Sequence, residues 1–294
     1  MVVSTETAGL GNRIKSWVSA MRLGDDARVR WPRNKNMPAE FAELFANDSA
    51  VADVPAGAVE YCSWRLAVLP EDEAFLPAGF ATVGAGAHPL LRGAGKAWWN
   101  LTGRRSDRYR YMLFPKQHSR RSARADARHI DLEYGRIPQH FRDAYVPLFR
   151  SIAPHPWIAA RVADFGARLD DDVIGVQIRT WRDDPRRYRK YHLPAVRRLA
   201  KLLDAAPARS RFLVVSDADE IVAELAAAYG ATRVLHFPRT TPRRDSWRAP
   251  EGTREDLIDM LLLARTRRLF ASYLSTFSEA AWWLGGANAD VDVF

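Results

Sequence analysis

The clearest pattern of apolar and polar positions in this chain lies between residues 256 and 286. Apolar residues recur there at the spacing of one helical face: Leu257, Met260, Leu261 and Ala264. The next segment, 268–272 (RLFAS), is short and apolar and ends in small residues, which predicts a buried strand. A second predicted helix follows and ends at Gly285-Gly286, because glycine commonly terminates helices.

A hydroxyl-rich turn, Ser275-Thr276-Phe277-Ser278, separates this strand from the second helix. With Thr276 as the N-cap residue, Glu279 stands three positions later and would complete a capping box. A helix N-terminus at a strand end offers N–H groups and the positive end of the helix dipole to an anion. The turn therefore predicts a site that a diphosphate would fit. An ordinary α/β unit with a well-capped helix is the alternative.

Strand-like and helix-like patterns alternate along the rest of the chain. Predicted strands lie at 2–5, 28–31, 59–63, 80–83, 111–114, 173–178, 211–215 and 232–237. Predicted helices lie at 12–21, 38–47, 137–150, 156–169, 193–205 and 218–229. This alternation predicts an α/β fold with parallel, doubly wound sheets. We expect two Rossmann-like domains that face each other across a cleft: residues 1–169, which include the bridging helices, and residues 170–294.

A Gly-rich turn, Gly9-Leu10-Gly11-Asn12-Arg13, joins the first predicted strand to the first predicted helix. Asn12 is a favourable N-cap residue for that helix. The turn is not the dinucleotide-binding fingerprint, because no third Gly or Ala follows at the required spacing, and the P-loop lysine is absent. The Gly-x-Gly sequence indicates that the backbone is approached closely by whatever lies across the cleft.

The most apolar predicted strand, 173–178 (VIGVQI), runs directly into Arg179. Ligands of open α/β sheets bind outside the carboxyl ends of the strands, and arginine can hold phosphate oxygens with two hydrogen bonds. An ion pair between Arg179 and a local carboxylate such as Asp183 is the alternative. Asp217 ends the next predicted strand and joins the donor-binding candidates. We interpret the sequence Asp217-Ala218-Asp219 as a helix cap, with metal ligation as the alternative.

Length and composition narrow the classes of protein that are possible. A chain of 294 residues favours two domains, and 47% hydrophobic residues with 10 Trp indicate a globular protein. The single cysteine, Cys62, excludes an internal disulfide and a thiolate metal cluster, and the seven His are scattered, so we expect no metal site. No apolar run approaches the ~18 residues of a membrane span, and the N-terminus does not resemble a signal peptide. We therefore expect a cytoplasmic protein.

The formal net charge of +9 favours anionic partners. Basic residues crowd the segment 104–128: Arg104, Arg105, Arg108, Arg110, Lys116, Arg120, Arg121, Arg124 and Arg128. This segment could be a solvated loop, could face an anionic glycan or lipid carrier, or could make a peripheral contact at the inner face of a membrane. A nucleic-acid site would require interleaved aromatic residues in a known binding module, which is not recognisable here, so no nucleic-acid partner is expected.

Three of these motifs occur together and in a characteristic order. GLGNR follows the first strand, an arginine ends the first strand of the second half, and STFSEAAWWLGG lies near the C-terminus. In this combination the chain resembles the GT-B fucosyltransferase clan, which contains nodulation-factor fucosyltransferases, α-1,6-fucosyltransferases and protein O-fucosyltransferases. The resemblance spans almost the whole chain. It implies two Rossmann-like domains, with a GDP-sugar in the C-terminal one and acceptor and cleft residues in the N-terminal one.

The resemblance also implies roles for single residues. Arg179 matches the arginine that holds the donor β-phosphate, and Asp259 matches the acidic residue that accepts hydrogen bonds from guanine. Gln177 stands where many members have the histidine of an HxR motif. The diphosphate turn and the cleft loop correspond to Ser275, Thr276, Phe277 and Ser278, and to Gly9, Gly11, Asn12 and Arg13.

The sequence also departs from this clan in three respects. Thr180 replaces the second arginine that some members have after the first, and Gln177 replaces the histidine. The glutamate that some members use as a base has no clear equivalent. Asp183 and Asp184 are the carboxylates nearest to the motif and are the candidates for that role.

The resemblance implies an inverting, metal-independent glycosyltransferase that moves fucose or a related sugar from a GDP-sugar to a glycan or glycolipid acceptor. Arg179 and the helix that begins near Thr276 would stabilise the charge on the departing diphosphate. Asp183 or Asp184 would deprotonate the acceptor hydroxyl, and no cofactor besides the donor substrate is expected. A non-catalytic nucleotide- or glycan-binding protein with the same fold is the main alternative. A basic RNA-binding protein is a third hypothesis.

Overall fold

The computed structural model describes residues 1–75, 113–115, 128–130, 134, 137–273 and 275–294. Its strands are β1 (Val2–Ser4), β2 (Ala27–Arg30), β3 (Ala50–Val51), β4 (Val59–Tyr61), β5 (Leu66–Val68), β6 (Leu113–Pro115), β7 (Arg128–Ile130), β8 (Val173–Ile178), β9 (Arg211–Ser216), β10 (Val234–Leu235), β11 (Arg268–Ala271) and β12 (Asp290–Val293). Its α-helices are α1 (Leu10–Leu23), α2 (Phe41–Leu44), α3 (Gln139–Arg150), α4 (Pro156–Gly166), α5 (Pro185–Arg187), α6 (Leu193–Asp204), α7 (Asp219–Tyr229), α8 (Pro250–Leu263) and α9 (Thr276–Leu284).

The chain divides into two compact units. The first contains residues 1–34 and 47–153, and the second contains residues 35–46 and 154–294. Helix α4 belongs to the second unit, although the sequence analysis assigned it to the first half with a boundary at residue 169. The segment 35–46, which contains α2, also belongs to the second unit. The chain thus enters the second unit briefly and then goes back to the first, which local sequence patterns do not reveal. The arrangement of two domains across a cleft stays a prediction.

The first unit is built on a parallel four-stranded sheet in the order β3-β2-β1-β4. Helix α1 covers it because Ile14, Trp17 and Val18, all on one helical face, are fully buried. A second sheet, β5-β7-β6, is antiparallel. Strands β2 and β3 extend the parallel sheet to one side of β1, and β4 lies on the other side, so the direction of strand addition reverses between β1 and β4.

The second unit is built on a parallel five-stranded sheet in the order β10-β9-β8-β11-β12. Its central strand β8 is buried along its whole length, as expected for a parallel strand that is covered on both faces. The core of this unit includes Val176, Val214 and Phe270. Here the direction of strand addition reverses between β8 and β11, as it does between β1 and β4 in the first unit.

Two predictions concern parts of the chain that the structure describes little or not at all. The strand predicted at 80–83 lies outside the described residues. The basic segment 104–128 also lies outside them, apart from the backbone of β6 and of Arg128, so the anionic and membrane contacts suggested for it stay predictions. Among the residues that are described, no helix combines the length and the apolarity that a bilayer crossing requires.

The packing of α8 makes Gly252 a sensitive position. A Cβ atom added there would overlap the backbone carbonyl and Cα of Ser246, which belongs to the 3₁₀ turn Arg243–Arg248. Backbone cannot rotate away as a side chain can, so we expect Gly252→Ala to lower the free energy of unfolding by about 1–3 kcal/mol. Urea unfolding monitored by circular dichroism measures this change.

The matched control is Glu251→Ala, which alters an exposed neighbour on the same helical turn. Among the described residues its side chain forms a surface ion pair with Arg254, worth less than about 1 kcal/mol. Equal stability of Gly252→Ala and Glu251→Ala would contradict the tight packing of α8 on this turn.

Candidate functional site

Three strand ends of the second sheet meet at one edge. Ile178 pairs with Ser216 of β9, and Gln177 pairs with Ala271 of β11. The residues that follow these strands therefore emerge side by side at the carboxyl edge: Arg179, Asp217 and Ser272. Because the order of strand addition reverses between β8 and β11, this is where an open α/β sheet forms its ligand crevice.

Hydrogen bonds fix the backbone of this edge and leave the arginine side chain open. The Arg179 N–H donates to Ser272 Oγ over 2.8 Å, and the Thr180 N–H donates to Asp217 Oδ1 over 2.9 Å. The Arg179 guanidinium lies 3.3 Å from Asp217 Oδ2, so its carboxylate partner is Asp217. The alternative prediction of an ion pair with Asp183 was wrong about the partner. The Arg179 side chain remains 48% exposed and can reach a ligand while it keeps this partner.

Trp181 supports the same arginine from a strained backbone position. Its φ of 57° lies in the left-handed region, which costs a non-glycine residue about 1–3 kcal/mol and is found mostly at functional sites. The Arg179 guanidinium carbon lies 5.2 Å from the indole centroid, a cation–π distance. Tyr191 and Tyr273 continue an aromatic row from Trp181, with successive ring centroids 6.1 Å apart.

The hydroxyl turn contains two buried serines that bond to each other and two partly exposed residues. The N-cap of α9 is Ser275, so the prediction of Thr276 as the cap was wrong by one position. The Ser278 N–H donates to Ser275 Oγ over 3.3 Å, and both serines are buried. Thr276 and Phe277 are partly exposed, and the first N–H groups of a helix have no partner within it. A diphosphate would therefore meet Thr276, Phe277 and their N–H groups.

The two candidate bases differ in their surroundings. Asp184 caps the short helix α5, because its Oδ1 accepts from the N–H groups of Arg186 and Arg187, each over 3.1 Å. The Arg187 side chain also lies 3.3 Å from Asp184 Oδ2. Both oxygens of Asp184 thus have local partners, whereas Asp183 is exposed.

Two buried polar atoms close to Arg179 have no hydrogen-bond partner among the described residues. They are Gln177 Oε1 and Thr180 Oγ1, on either side of the arginine in sequence. A buried polar atom that is left unpaired costs about 1–3 kcal/mol, so such atoms tend to occur where a ligand completes the bonding. Gln177 therefore lies two residues before Arg179 with an unpaired buried oxygen, and its predicted contact with the nucleotide stays a prediction.

Asp259 lies at the centre of a buried ion cluster. Its Oδ2 accepts from Arg239 over 2.9 Å and from Arg243 over 2.8 Å, and all three side chains are at most 5% exposed. Burial alone would lower the pKa of Arg239, but Asp256 and Asp259 raise it above its usual value. Oδ1 of Asp259 is buried and has no partner among the described residues, so the predicted contact with guanine, which stays a prediction, would have to use that atom.

The charged residue of the predicted cleft loop, Arg13, is buried inside the first unit. Arg13 is fully buried, and its guanidinium donates to the carbonyls of Ala8, Pro32 and Thr7 over 2.8–3.1 Å. Burial lowers the pKa of Arg13 to about 10, with Glu6 opposing the shift, so the side chain stays charged at neutral pH. Arg13 therefore stabilises the conformation of the loop by its hydrogen bonds to backbone carbonyls.

The other residues of that loop belong to the start of α1. The N-cap of α1 is Gly9, so Asn12, which was predicted as the cap, lies one turn inside the helix. Gly11 is buried in the same turn.

His192 is a residue of this region that sequence reasoning missed. It ends the π-helical turn Tyr188–His192, a type of turn that is frequent at functional sites. Burial lowers the pKa of His192, Asp217 opposes that shift, and Arg182 adds to it, so the imidazole is neutral at pH 7. Only the run Tyr188-Arg-Lys-Tyr-His192 could have drawn attention to it, and such a run is equally typical of a surface helix.

Solved structures share this architecture. The crystal structure of the fucosyltransferase NodZ from Bradyrhizobium aligns with 95% of this chain and 90% of its own length, at a TM-score of 0.50 and 19% sequence identity. A crystal structure of NodZ α-1,6-fucosyltransferase soaked with GDP-fucose aligns with 96% and 91%, also at a TM-score of 0.50 and 19% identity. This chain shares the fold of NodZ. No protein-family model and no curated protein matches the sequence.

The likeness to NodZ confirms the predicted α/β fold with parallel sheets and the predicted resemblance at the level of the fold. A further NodZ structure was co-crystallised with GDP and aligns with 95% of this chain at a TM-score of 0.50 and 17% identity. The roles of single residues do not follow from a shared fold, because function resides in the site.

Proposed function

We propose that this protein is a glycosyltransferase that moves fucose or a related sugar from a GDP-sugar to a glycan acceptor, with inversion and without a metal ion. One observation carries the proposal. The half-exposed Arg179 stands at the reversal point of the second sheet, tied by its N–H to the strand that leads into α9. A guanidinium and a helix N-terminus are each suited to bind a diphosphate. NodZ, whose fold the chain shares, has been soaked with GDP-fucose.

The proposed reaction breaks the bond between the anomeric carbon and the β-phosphate oxygen of the donor. That bond's electron pair goes to the phosphate, while the acceptor oxygen forms the new bond from the opposite face. Arg179 and the N–H groups at the start of α9 stabilise the growing charge on the leaving diphosphate. These groups take the place that a divalent cation has in other transferases, which is the basis for proposing that no metal is needed.

We place the general base at Asp183. It would take the proton of the acceptor hydroxyl, and its exposure leaves it available for that step. Asp184 is less suited because both of its oxygens already have partners in α5. The first unit is proposed to hold the acceptor.

A screen of nucleotides tests the proposal before any acceptor is known. Binding of GDP to the folded state at 100 times its Kd raises the free energy of unfolding by about 2.7 kcal/mol, which thermal shift detects. We expect GDP and GDP-fucose to raise Tm more than UDP, dTDP or CMP and their sugars. Slow hydrolysis of GDP-fucose, measured as release of GDP, should accompany binding. A larger shift with another nucleotide would contradict the proposed donor.

A non-catalytic nucleotide-binding protein is the second candidate. Two observations favour it: Gln177 stands in place of a titratable histidine, and Asp184 is occupied as a helix cap. GDP binding without release of GDP from any GDP-sugar, in the presence of a broad panel of glycan acceptors, would support this candidate over the transferase.

A further inference from the structure

The first unit has a cavity of its own at the carboxyl edge of its parallel sheet. Its volume is about 460 Å³, which lies in the range of small-molecule sites. The polar residues that line it come from all four strands of that sheet: Thr5, Thr7, Arg30, Asp53, Glu60 and Cys62. All the residues that line this cavity belong to the first unit.

The position of the cavity agrees with the topology of the sheet. Thr5 and Thr7 follow β1, and Cys62 follows β4, the two strands between which the direction of strand addition reverses. The Thr5 N–H donates to the carbonyl of Tyr61 over 2.9 Å, so the two strand ends are held together at that point. Open α/β sheets bind ligands at such reversal points.

The described charges of the cavity, one positive and two negative, disfavour an acidic ligand. Two carboxylates, Asp53 and Glu60, face one guanidinium, Arg30. The Arg30 Nε lies 3.9 Å from Asp53 Oδ1 and Asp53 is 92% exposed, so this ion pair is loose and leaves both groups able to bind a ligand. The cavity is thus locally acidic in a protein whose net charge is +9.

The Cys62 thiol in the cavity adds a hydrogen-bond donor and no charge. Burial raises the pKa of Cys62, and Glu6 and Glu60 raise it further, while a hydrogen bond with Thr5 opposes them. The thiol is therefore protonated at neutral pH. With two threonine hydroxyls and two carboxylates, the cavity offers mainly hydrogen-bond acceptors together with a few donors.

We propose that this cavity is the acceptor subsite and that it takes a pyranose ring bearing hydroxyl or ammonium groups and no acidic group. The inference rests on the proposed transferase function. Vicinal hydroxyls of such a ring donate to the carboxylates of Asp53 and Glu60, and Arg30 donates to the ring's oxygens. A uronic acid would bring a third negative charge to the same small space and be rejected.

Binding of three matched sugars tests directly whether the cavity rejects an acidic sugar. Saturation-transfer NMR at millimolar concentrations compares methyl β-glucoside, methyl β-glucosaminide and methyl β-glucuronide on the full chain. We expect the glucosaminide and the glucoside to bind and the glucuronide not to bind. In Glu60→Gln, the affinity for the glucosaminide should fall about tenfold, because a charged hydrogen bond is lost. Asp53→Asn, at an exposed position that does not threaten folding, should have the same direction of effect.

Asp25→Asn, which removes an exposed carboxylate of the same unit outside the cavity, is the control and should leave all three sugars unchanged. Binding of the glucuronide as strong as that of the glucoside would overturn the proposal, as would unchanged binding in both Glu60→Gln and Asp53→Asn. GDP titration of the same samples separates the two proposals. Charge-selective sugar binding without GDP binding would leave the cavity as a sugar site but defeat the transferase and with it the acceptor role. GDP binding without sugar binding would defeat the cavity and leave the transferase proposal standing.

Discussion

The Arg179→Ala variant is expected to bind GDP about 10- to 150-fold more weakly than the wild type, because a charged hydrogen bond to phosphate contributes about 1.5–3 kcal/mol. Sugar transfer should fall further, by about 10²–10³-fold, since the charge on the leaving group grows towards the transition state. Calorimetric titration of GDP and a rate measurement at saturating donor give the two numbers separately. The protein should stay folded, because the side chain of Arg179 is half exposed.

Arg186→Ala is the matched control for Arg179. It removes an exposed arginine a few residues further along the same segment, so it changes the net charge equally without touching the sheet edge. Arg179→Lys should restore part of the affinity, because lysine keeps the charge but loses the two-point contact. Equal GDP affinity of the wild type and Arg179→Ala would contradict the proposed role of this arginine.

The second large effect is expected on stability. Asp259→Ala removes the carboxylate that faces Arg239 and Arg243 and leaves two buried guanidiniums near each other. Breaking a buried ion cluster by removing one partner costs about 3–5 kcal/mol. A loss of that size is a large fraction of the 5–15 kcal/mol typical of a domain, so the second unit should unfold at markedly lower urea concentration.

Asp256→Ala is the control for this cluster. Asp256 lies on the same helix and accepts from the same Arg239 over 2.8 Å, but its side chain is 29% exposed. Water can replace it, so its removal should destabilise the protein less than Asp259→Ala does. Equal free energies of unfolding for Asp259→Ala and Asp256→Ala would contradict a central role of the buried cluster in stability.

Four of the five strands of the second sheet were predictable because their signals are local, whereas β12 was not predicted. The run VIGVQI followed by Arg179 contains a buried strand and its polar end in consecutive residues. The strand that precedes Asp217 and the strand before α9 are equally compact signals. The sequence therefore predicted these three strands, and the roles of the candidate residues at their ends stay predictions.

Features that depend on which elements are neighbours could not be predicted. The partner of Arg179 is Asp217 and not Asp183, because β9 lies beside β8. The burial of Asp259 depends on two arginines that precede it by 20 and 16 residues in a segment without regular periodicity. Arg13 resembled a ligand-binding residue in sequence, but backbone carbonyls of its own loop surround it.

The N-cap of α9 was misplaced for a different reason. Ser275 and Thr276 are both good cap residues, and the presence of Glu279 three positions after Thr276 favoured the wrong one. The error has a consequence for the site. Ser275 and Ser278 bond to each other inside the turn, so a diphosphate bound there would meet Thr276 and Phe277 instead.

A crystal structure of the wild-type protein with GDP tests the central claim most directly. We predict the β-phosphate within 2.7–3.1 Å of the Arg179 guanidinium and of an N–H group in the first turn of α9, the usual range for such charged bonds. Electron density for GDP at any other place, with neither Arg179 nor α9 in contact with its phosphates, would contradict the account.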